Sequence, residues 1–189
     1  MKRIGILALQ GAFAEHKKTI EALGAQGLEI RQKSDLLQYS YDGMILPGGE
    51  STVIGKLLSE LEMMSIIKKM IAEGMPVLGT CAGMILLAKE ISNDSSRYLA
   101  TMDIRVRRNA YGRQLGSFHT VDHFHGLGRI PMTFIRAPYI ESVQQAEGVE
   151  VLATVHGQSV AARQRNMLAT SFHPELTKDL SIHKFFLQM

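Results

Sequence analysis

Short apolar runs alternate with helical spacings along most of the chain. Ile4-Gly5-Ile6-Leu7-Ala8-Leu9 is an unbroken apolar run, the pattern of a strand buried on both faces. It ends at Gln10-Gly11, and residues 12–23 then read as an amphipathic helix stopped at Gly24. A second strand is expected over residues 28–31 and a third over 43–46, broken by Pro47-Gly48-Gly49. Helical stretches at 52–58 and 61–72 end at Glu73-Gly74, and a fourth strand at 76–79 runs directly into a helix over 82–89. From residue 99 to 136 short alternating segments punctuated by Gly112, Gly116, Gly126 and Gly128 predict antiparallel strands and turns. Strands at 149–154, 159–163 and 167–172 and a closing helix at 178–188 complete the pattern. The alternation predicts an α/β fold, a mostly parallel central sheet flanked by helices with an antiparallel insertion in the middle. With no internal repeat, low-complexity tract or linker in 189 residues, one domain over 1–189 is expected.

Composition narrows the class. A 46% share of hydrophobic residues against 21% charged fits a compact soluble chain and excludes a disordered one. The net charge is only +3, with basic and acidic side chains interspersed, so no nucleic-acid partner is expected. No apolar run approaches the roughly 20 residues of a membrane span. The start, Met1-Lys2-Arg3-Ile4, has no signal-peptide pattern. A cytoplasmic location is the expectation. The lone cysteine, Cys81, excludes an internal disulfide and a multi-cysteine metal site.

That cysteine lies in Gly79-Thr80-Cys81-Ala82-Gly83, between a predicted strand and a predicted helix. The segment is the cysteine form of a nucleophile elbow, a turn so sharp that small residues must flank it. The helix start favours thiolate over thiol. Without the glycines, a lone cysteine reads equally well as a structural core residue. A thiol nucleophile needs a base, and the base an orienting group. His173-Pro174-Glu175 follows the last predicted strand and supplies both, although alone it reads as an ordinary turn. The glycine pair in Pro47-Gly48-Gly49-Glu50-Ser51-Thr52 frees backbone amides to face an oxyanion. A phosphate-binding loop is excluded there, because Glu50 stands where the first glycine belongs and Leu57 replaces Ser or Thr.

Together these segments resemble the class I, triad-type glutamine amidotransferases, which implies a flavodoxin-like three-layer fold. More narrowly, five segments are similar in order and spacing to the glutaminase subunits of pyridoxal phosphate synthases. They are Leu9-Gln10-Gly11, Pro47 to Thr52, Arg108-Asn109-x-x-Gly112-Arg113-Gln114, Phe134-Ile135-Arg136-Ala137-Pro138 and Ser171 to Leu176, with the cysteine elbow as a sixth. The resemblance spans residues 4 to 186 and departs from the family pattern at Arg107, His119 and Ser181. It implies a glutaminase that hydrolyses L-glutamine to glutamate and ammonia. Cys81 would be the nucleophile, His173 the proton shuttle and Glu175 its orienting acid. Backbone amides of Gly49 and Ala82 would form the oxyanion hole. Gly49, Glu50, Ser51, Arg108, Ile135 and Arg136 would hold glutamine; spacing leaves open which arginine meets the carboxylate. Ammonia loses its nucleophilicity when protonated in water, so a partner is implied, the barrel-shaped synthase subunit. No cofactor and no metal are implied for this chain.

The remaining features read as structure. His119, His123 and His125 cluster without the further ligands a metal site needs, which assigns them to solvated or turn positions. Met63, Met64 and Met70 are expected to fill a core. Ala14-Glu15-His16 lies either on a solvated helix face or, by the resemblance, toward the synthase. Two rivals stand beside the glutaminase reading: another cysteine hydrolase or amidotransferase subunit of the same fold, and a non-catalytic glutamine sensor, which would have no need of an intact triad.

Overall fold

The computed structural model describes residues 1–92, 94–108 and 117–189. The elements in chain order are β1 (Arg3–Leu7), α1 (Phe13–Ala22), β2 (Gln26–Ile30), α2 (Lys33–Gln38), β3 (Gly43–Leu46), α3 (Ser51–Glu60), α4 (Met64–Ala72) and β4 (Val77–Thr80). Then follow α5 (Ala82–Leu87), β5 (Ala88–Ile91), β6 (Met102–Arg107), β7 (Ser117–Phe124), β8 (Gly128–Ile135), β9 (Tyr139–Val143), β10 (Glu150–Val155), β11 (Gln158–Gln164), β12 (Met167–Thr170) and α6 (Ser181–Leu187).

The main sheet runs β2-β1-β3-β4-β12-β11-β10-β7-β8. Its first five strands are parallel, and β12-β11-β10-β7-β8 are antiparallel. Beside it, β9 joins β11 to β6, and β6 pairs with β5. The expected α/β architecture is therefore present, and the antiparallel strands extend beyond the middle of the sequence to its end. The β5–β6 pair differs from expectation in running parallel.

Burial explains the layers. On α3 the buried residues Ser51, Ile54, Gly55 and Leu58 recur at helical spacing, and α4 buries Ile67 and Ile71. These pack with α2 and α5 against one face of the sheet, alongside the buried Met63 and the half-buried Met64 and Met70. The methionines are core residues, as expected. Ile20 of α1 and Ile182 and Phe186 of α6 cover the opposite face with Phe124, Phe134 and Phe172. Helices on both faces of a mainly parallel sheet make the three-layer fold.

Two predicted boundaries moved and one helix was missed, each for a physical reason. The second strand occupies Gln26–Ile30, because its parallel pairing with Arg3–Leu7 sets the register. The helix expected through Lys89 stops at Leu87; Ala88–Ile91 instead pairs with Met102–Arg107, exposing Lys89 and Glu90. Propensity yields to pairing there. The helix at Lys33–Gln38 is too short to show a period and is held by a capping box between Gln32 and Asp35. Gly112 and Gly116, with Asn109, Arg113 and Gln114, lie outside the described residues. No helix among the described residues is long and apolar enough to cross a membrane.

Candidate active site

Three neighbouring parallel strands deliver the site. In the sheet register Leu46 pairs with Gly79, and Thr80 pairs with Thr170. The segments leaving β3, β4 and β12 therefore emerge side by side at one edge, and they are the glycine pair, the cysteine and the His-Pro-Glu turn. Carboxyl ends of parallel strands are where such sheets place their sites.

At the elbow Cys81 adopts φ 49°, a left-handed backbone rarely accepted by side-chain-bearing residues. A Cβ on Gly83 would stand 1.9 Å from the Leu46 carbonyl oxygen, and one on Gly79 would stand 2.7 Å from the Gly83 carbonyl oxygen. Both glycines are thus required by close backbone approach. The Cys81 amide donates to the Thr170 carbonyl at 2.7 Å, tying the strained turn to β12. Ala82 follows at the start of α5 and is buried.

Cys81 and His173 line one cleft, and a Cβ placed on Gly48 would meet both side chains. His173 Nδ1 donates to Glu175 Oε1 at 2.7 Å, and both residues are buried. Burial alone would push His173 down, but hydrogen bonds and charge from Cys81 and Glu175 raise it to about 10. Burial would likewise raise the Glu175 carboxyl, yet the flanking His16 and His173 rings and a backbone hydrogen bond hold it below the usual carboxylate range. An imidazolium between a sulfur and a carboxylate follows from these directions.

The cysteine faces a cleft of about 290 Å³ lined by Gln10, Gly49, Glu50, Ser51, Thr52, Ile85, Arg108, Ile135, Arg136, Pro138 and His173. Every residue expected to hold glutamine lines it; Glu175 and Ala82 lie behind the wall. Gly48 backs the reacting pair, since a Cβ there would meet His173 Cε1 at 2.3 Å. Gln10 Oε1 accepts from the Glu50 amide at 2.8 Å, and the Ala12 amide donates to the Gly48 carbonyl at 3.1 Å. These contacts hold the glycine loop against the end of β1.

Arg108 donates to Asp94 Oδ2 and to the Tyr98 hydroxyl, each at 2.8 Å, so its terminal nitrogens are engaged. Arg136 is exposed and has no ion-pair partner among the described residues. Tyr98 and Asp94 had no sequence signal of their own, because they act by holding another group; Gln10 stood in the Leu9-Gln10-Gly11 segment, but only the structure gives it a role. His16 departs most from expectation: it is fully buried, with its Nε2 3.3 Å from Glu175 Oε2, while Ala14 and Glu15 remain exposed. Of the histidine cluster, His119 hydrogen-bonds Thr133 at 2.9 Å and His125 lies 3.7 Å from Glu150 on the exposed face of the β7–β8 region. Among the described residues no group of three or more potential ligands is placed to hold a metal ion.

Residues 6–189 match the family described as the SNO glutamine amidotransferase family. The pyridoxal 5'-phosphate synthase subunit PdxT of Desulfitobacterium hafniense (strain Y51) is 58% identical over 185 residues, covering 98% of this chain and 92% of that protein. PdxT of Streptococcus pneumoniae (strain ATCC 700669 / Spain 23F-1) is 57% identical over 189 residues, covering 99% and 97%. A solved glutamine amidotransferase structure superposes with a TM-score of 0.91 at 44% identity, covering 98% of this chain and 97% of that one. A glutamine amidotransferase from Thermotoga maritima, 14% identical with a TM-score of 0.66 and covering 99% and 84%, shares the fold.

Proposed function

The chain belongs to the SNO glutamine amidotransferase family, and from that premise we propose that it is the glutaminase subunit of a pyridoxal 5'-phosphate synthase. Its 189 residues act as one glutaminase domain. The observation that carries this reading is the Cys81–His173–Glu175 chain at the mouth of the cleft, with Nδ1 to Oε1 at 2.7 Å. The identity to PdxT proteins over nearly the whole chain supports the pathway and the partnership.

The Cys81 thiolate attacks the side-chain amide carbon of L-glutamine, forming a C–S bond and a tetrahedral oxyanion. Backbone N–H groups of Gly49 and Ala82 receive that oxyanion, the one from the glycine loop and the other from the residue after the nucleophile. His173 Nε2–H protonates the leaving nitrogen, the C–N bond breaks, and ammonia departs from a thioester. Water then loses a proton to His173 Nε2 and attacks the thioester, releasing glutamate and restoring the thiol. Glu175 holds the ring in the Nδ1–H orientation and balances its charge.

Glu50 suits the α-ammonium of glutamine, and Ser51 and Ile135 shape the pocket around it. Arg136, exposed at the cleft, and Arg108, whose Nε–H is without a hydrogen-bond partner among the described residues, are both suited to the α-carboxylate of glutamine. Ammonia passes to the barrel-shaped synthase subunit in the cytoplasm, a reducing compartment in which a lone reactive thiol persists.

The test is glutamate release from L-glutamine with and without the synthase subunit, for wild type and Cys81→Ala. Turnover stimulated by the synthase and reduced at least about 1,000-fold by the substitution is expected. Turnover that survives the loss of Cys81 would overturn the assignment of the nucleophile, and turnover indifferent to the synthase would overturn the partnership.

A further inference from the structure

Two buried histidines lie beneath the triad and take no part in the chemistry described above. His16 of α1 and His183 of α6 are each fully shielded from solvent. His16 Nδ1 is 2.8 Å from His183 Nε2. On its other edge His16 Nε2 lies 3.3 Å from Glu175 Oε2 and 3.2 Å from Thr80 Oγ1. Glu175 Oε1 is taken by His173, whereas Oε2 has no hydrogen-bond partner among the described residues; His16 Nε2 faces it at ion-pair distance while hydrogen-bonding Thr80 Oγ1.

The tautomers follow from these contacts. Glu175 is ionised, so a lone pair on His16 Nε2 would face a negative oxygen at 3.3 Å in a buried site. His16 Nε2 must therefore carry the proton. His16 is neutral: burial pushes its pKa down most strongly, the His173 charge adds to this, and the Glu175 and Glu15 charges oppose without prevailing. Its Nδ1 is then an acceptor, and His183 Nε2–H is the donor facing it. His183 is itself neutral, lowered to about 3 by burial and by His16 against the pull of Glu175. Its Nδ1 lone pair points where no described residue pairs with it. The N–H groups thus point in one direction, from His183 into His16 and from His16 toward Glu175.

We propose that His16 is a positioning residue for the triad, its Nε2–H facing the second oxygen of Glu175 electrostatically at 3.3 Å and its tautomer set by the hydrogen bond from His183. Through it the catalytic carboxylate is fastened to both helices on one face of the sheet. A carboxylate held at one oxygen alone can rotate about its bond; with an N–H facing the other oxygen electrostatically, it keeps Oε1 aimed at His173. A second partner of this kind sets ring orientation and basicity wherever a histidine–carboxylate pair must stay in register. The groups facing His16 are Glu15 on its own helix, Thr80 from β4, His173 and Glu175 from the turn after β12, and His183 from α6.

The inference rests on the glutaminase reading, and the test separates the two. Glutamine hydrolysis is measured across pH in the complex with the synthase subunit for wild type, His16→Phe and His16→Gln. Phenylalanine keeps the bulk and removes the donor; the glutamine amide nitrogen reaches about as far as Nε2. In His16→Phe kcat is expected to fall about 10–100-fold, the range for loss of such an outer partner. The bell-shaped profile should narrow from both sides. A less firmly ionised Glu175 stabilises the His173 imidazolium less, which lowers the alkaline limb and, through the weaker ion pair, raises the acid limb. His16→Gln should recover most of the rate. A His16→Phe enzyme within twofold of wild type with unmoved limbs overturns the proposal, as does an equal loss in both variants. Should His16→Phe fail to fold, NMR of wild type with labelled histidine decides: a proton on His16 Nε2 supports the proposal and one on Nδ1 overturns it. Wild type that releases no glutamate in the complex would sink the glutaminase reading instead, leaving the NMR outcome to judge the histidine chain alone.

Discussion

At the residue scale the elbow shows why Gly79-Thr80-Cys81-Ala82-Gly83 is readable in sequence. Its glycines answer to backbone atoms, not to adaptable side chains: the Leu46 carbonyl oxygen at 1.9 Å from a Gly83 Cβ leaves no room for even one carbon. Gly83→Ala must push β3 and α5 apart and is expected to cost at least about 2–3 kcal/mol, at the upper end for overpacking. A chemical denaturation midpoint well below wild type, together with loss of glutaminase turnover, is the expected result; an unchanged midpoint would contradict the close approach. His16 shows the converse. Its type and position carry no signal, since a histidine on the first helix is equally at home in solvent, and only burial beside Glu175 reveals it. Arg108 was legible from its motif, but its engagement by Asp94 and Tyr98 was not, because that joins residues with no recognisable spacing.

At the scale of elements, periodicity located the long helices and the buried strands but not the points where pairing overrides propensity. The stretch after Leu87 has good helix formers and still becomes a strand, because Met102–Arg107 offers it backbone partners. The Cys81 helix is accordingly only six residues long. The join between α4, β4 and the β11–β12 turn depends on one side chain. Asn166 Nδ2 donates to the carbonyls of Ile71 and Met75 at 2.9 and 2.7 Å, and the Asn166 carbonyl accepts from the Val77 amide at 2.8 Å. Asn166→Asp removes both side-chain donors and sets a carboxylate against two carbonyls. A loss of about 2–3 kcal/mol is expected, readable by chemical denaturation, with the site three strand residues away keeping its chemistry in the protein that remains folded. A loss below about 0.5 kcal/mol would show that the turn is held by the strands alone.

At the scale of the whole molecule, stability carries the imprint of the buried histidines. His183 has a folded pKa of about 3 against an ordinary 6.5, and His16 is lowered as well. The unfolded chain therefore binds more protons below pH 6.5, so stability is fully present above that value and falls as pH drops toward about 3. Glu175, lowered in the folded state, adds to the same acid loss. His173 has the opposite sign: raised to about 10, it contributes stability that is present below 6.5 and is lost as pH rises through 10. Melting temperatures measured across pH should thus peak between these windows. His183→Leu should flatten the acid side, by an amount on the order of a few kcal/mol near pH 4. An acid limb as steep in that variant as in wild type would show that other groups control it.

What the sequence by itself determined is the local chemistry: the small residues around Cys81, the His173-Pro174-Glu175 turn, the glycine pair and the alternation that requires a layered α/β fold. These are legible because each depends on neighbours within a few positions, through backbone sterics or a short period. The tertiary structure alone decided which of these segments meet. Residues 49, 81 and 173 are brought together by the register of β3, β4 and β12, where Leu46 lies against Gly79 and Thr80 against Thr170. It also decided what stands behind them, placing His16 against the Glu175 carboxylate and His183, from the opposite end of the chain, against His16. Pairing between distant strands and burial between layers are properties of the folded whole, and no spacing along the chain encodes a 3.3 Å contact across 159 residues.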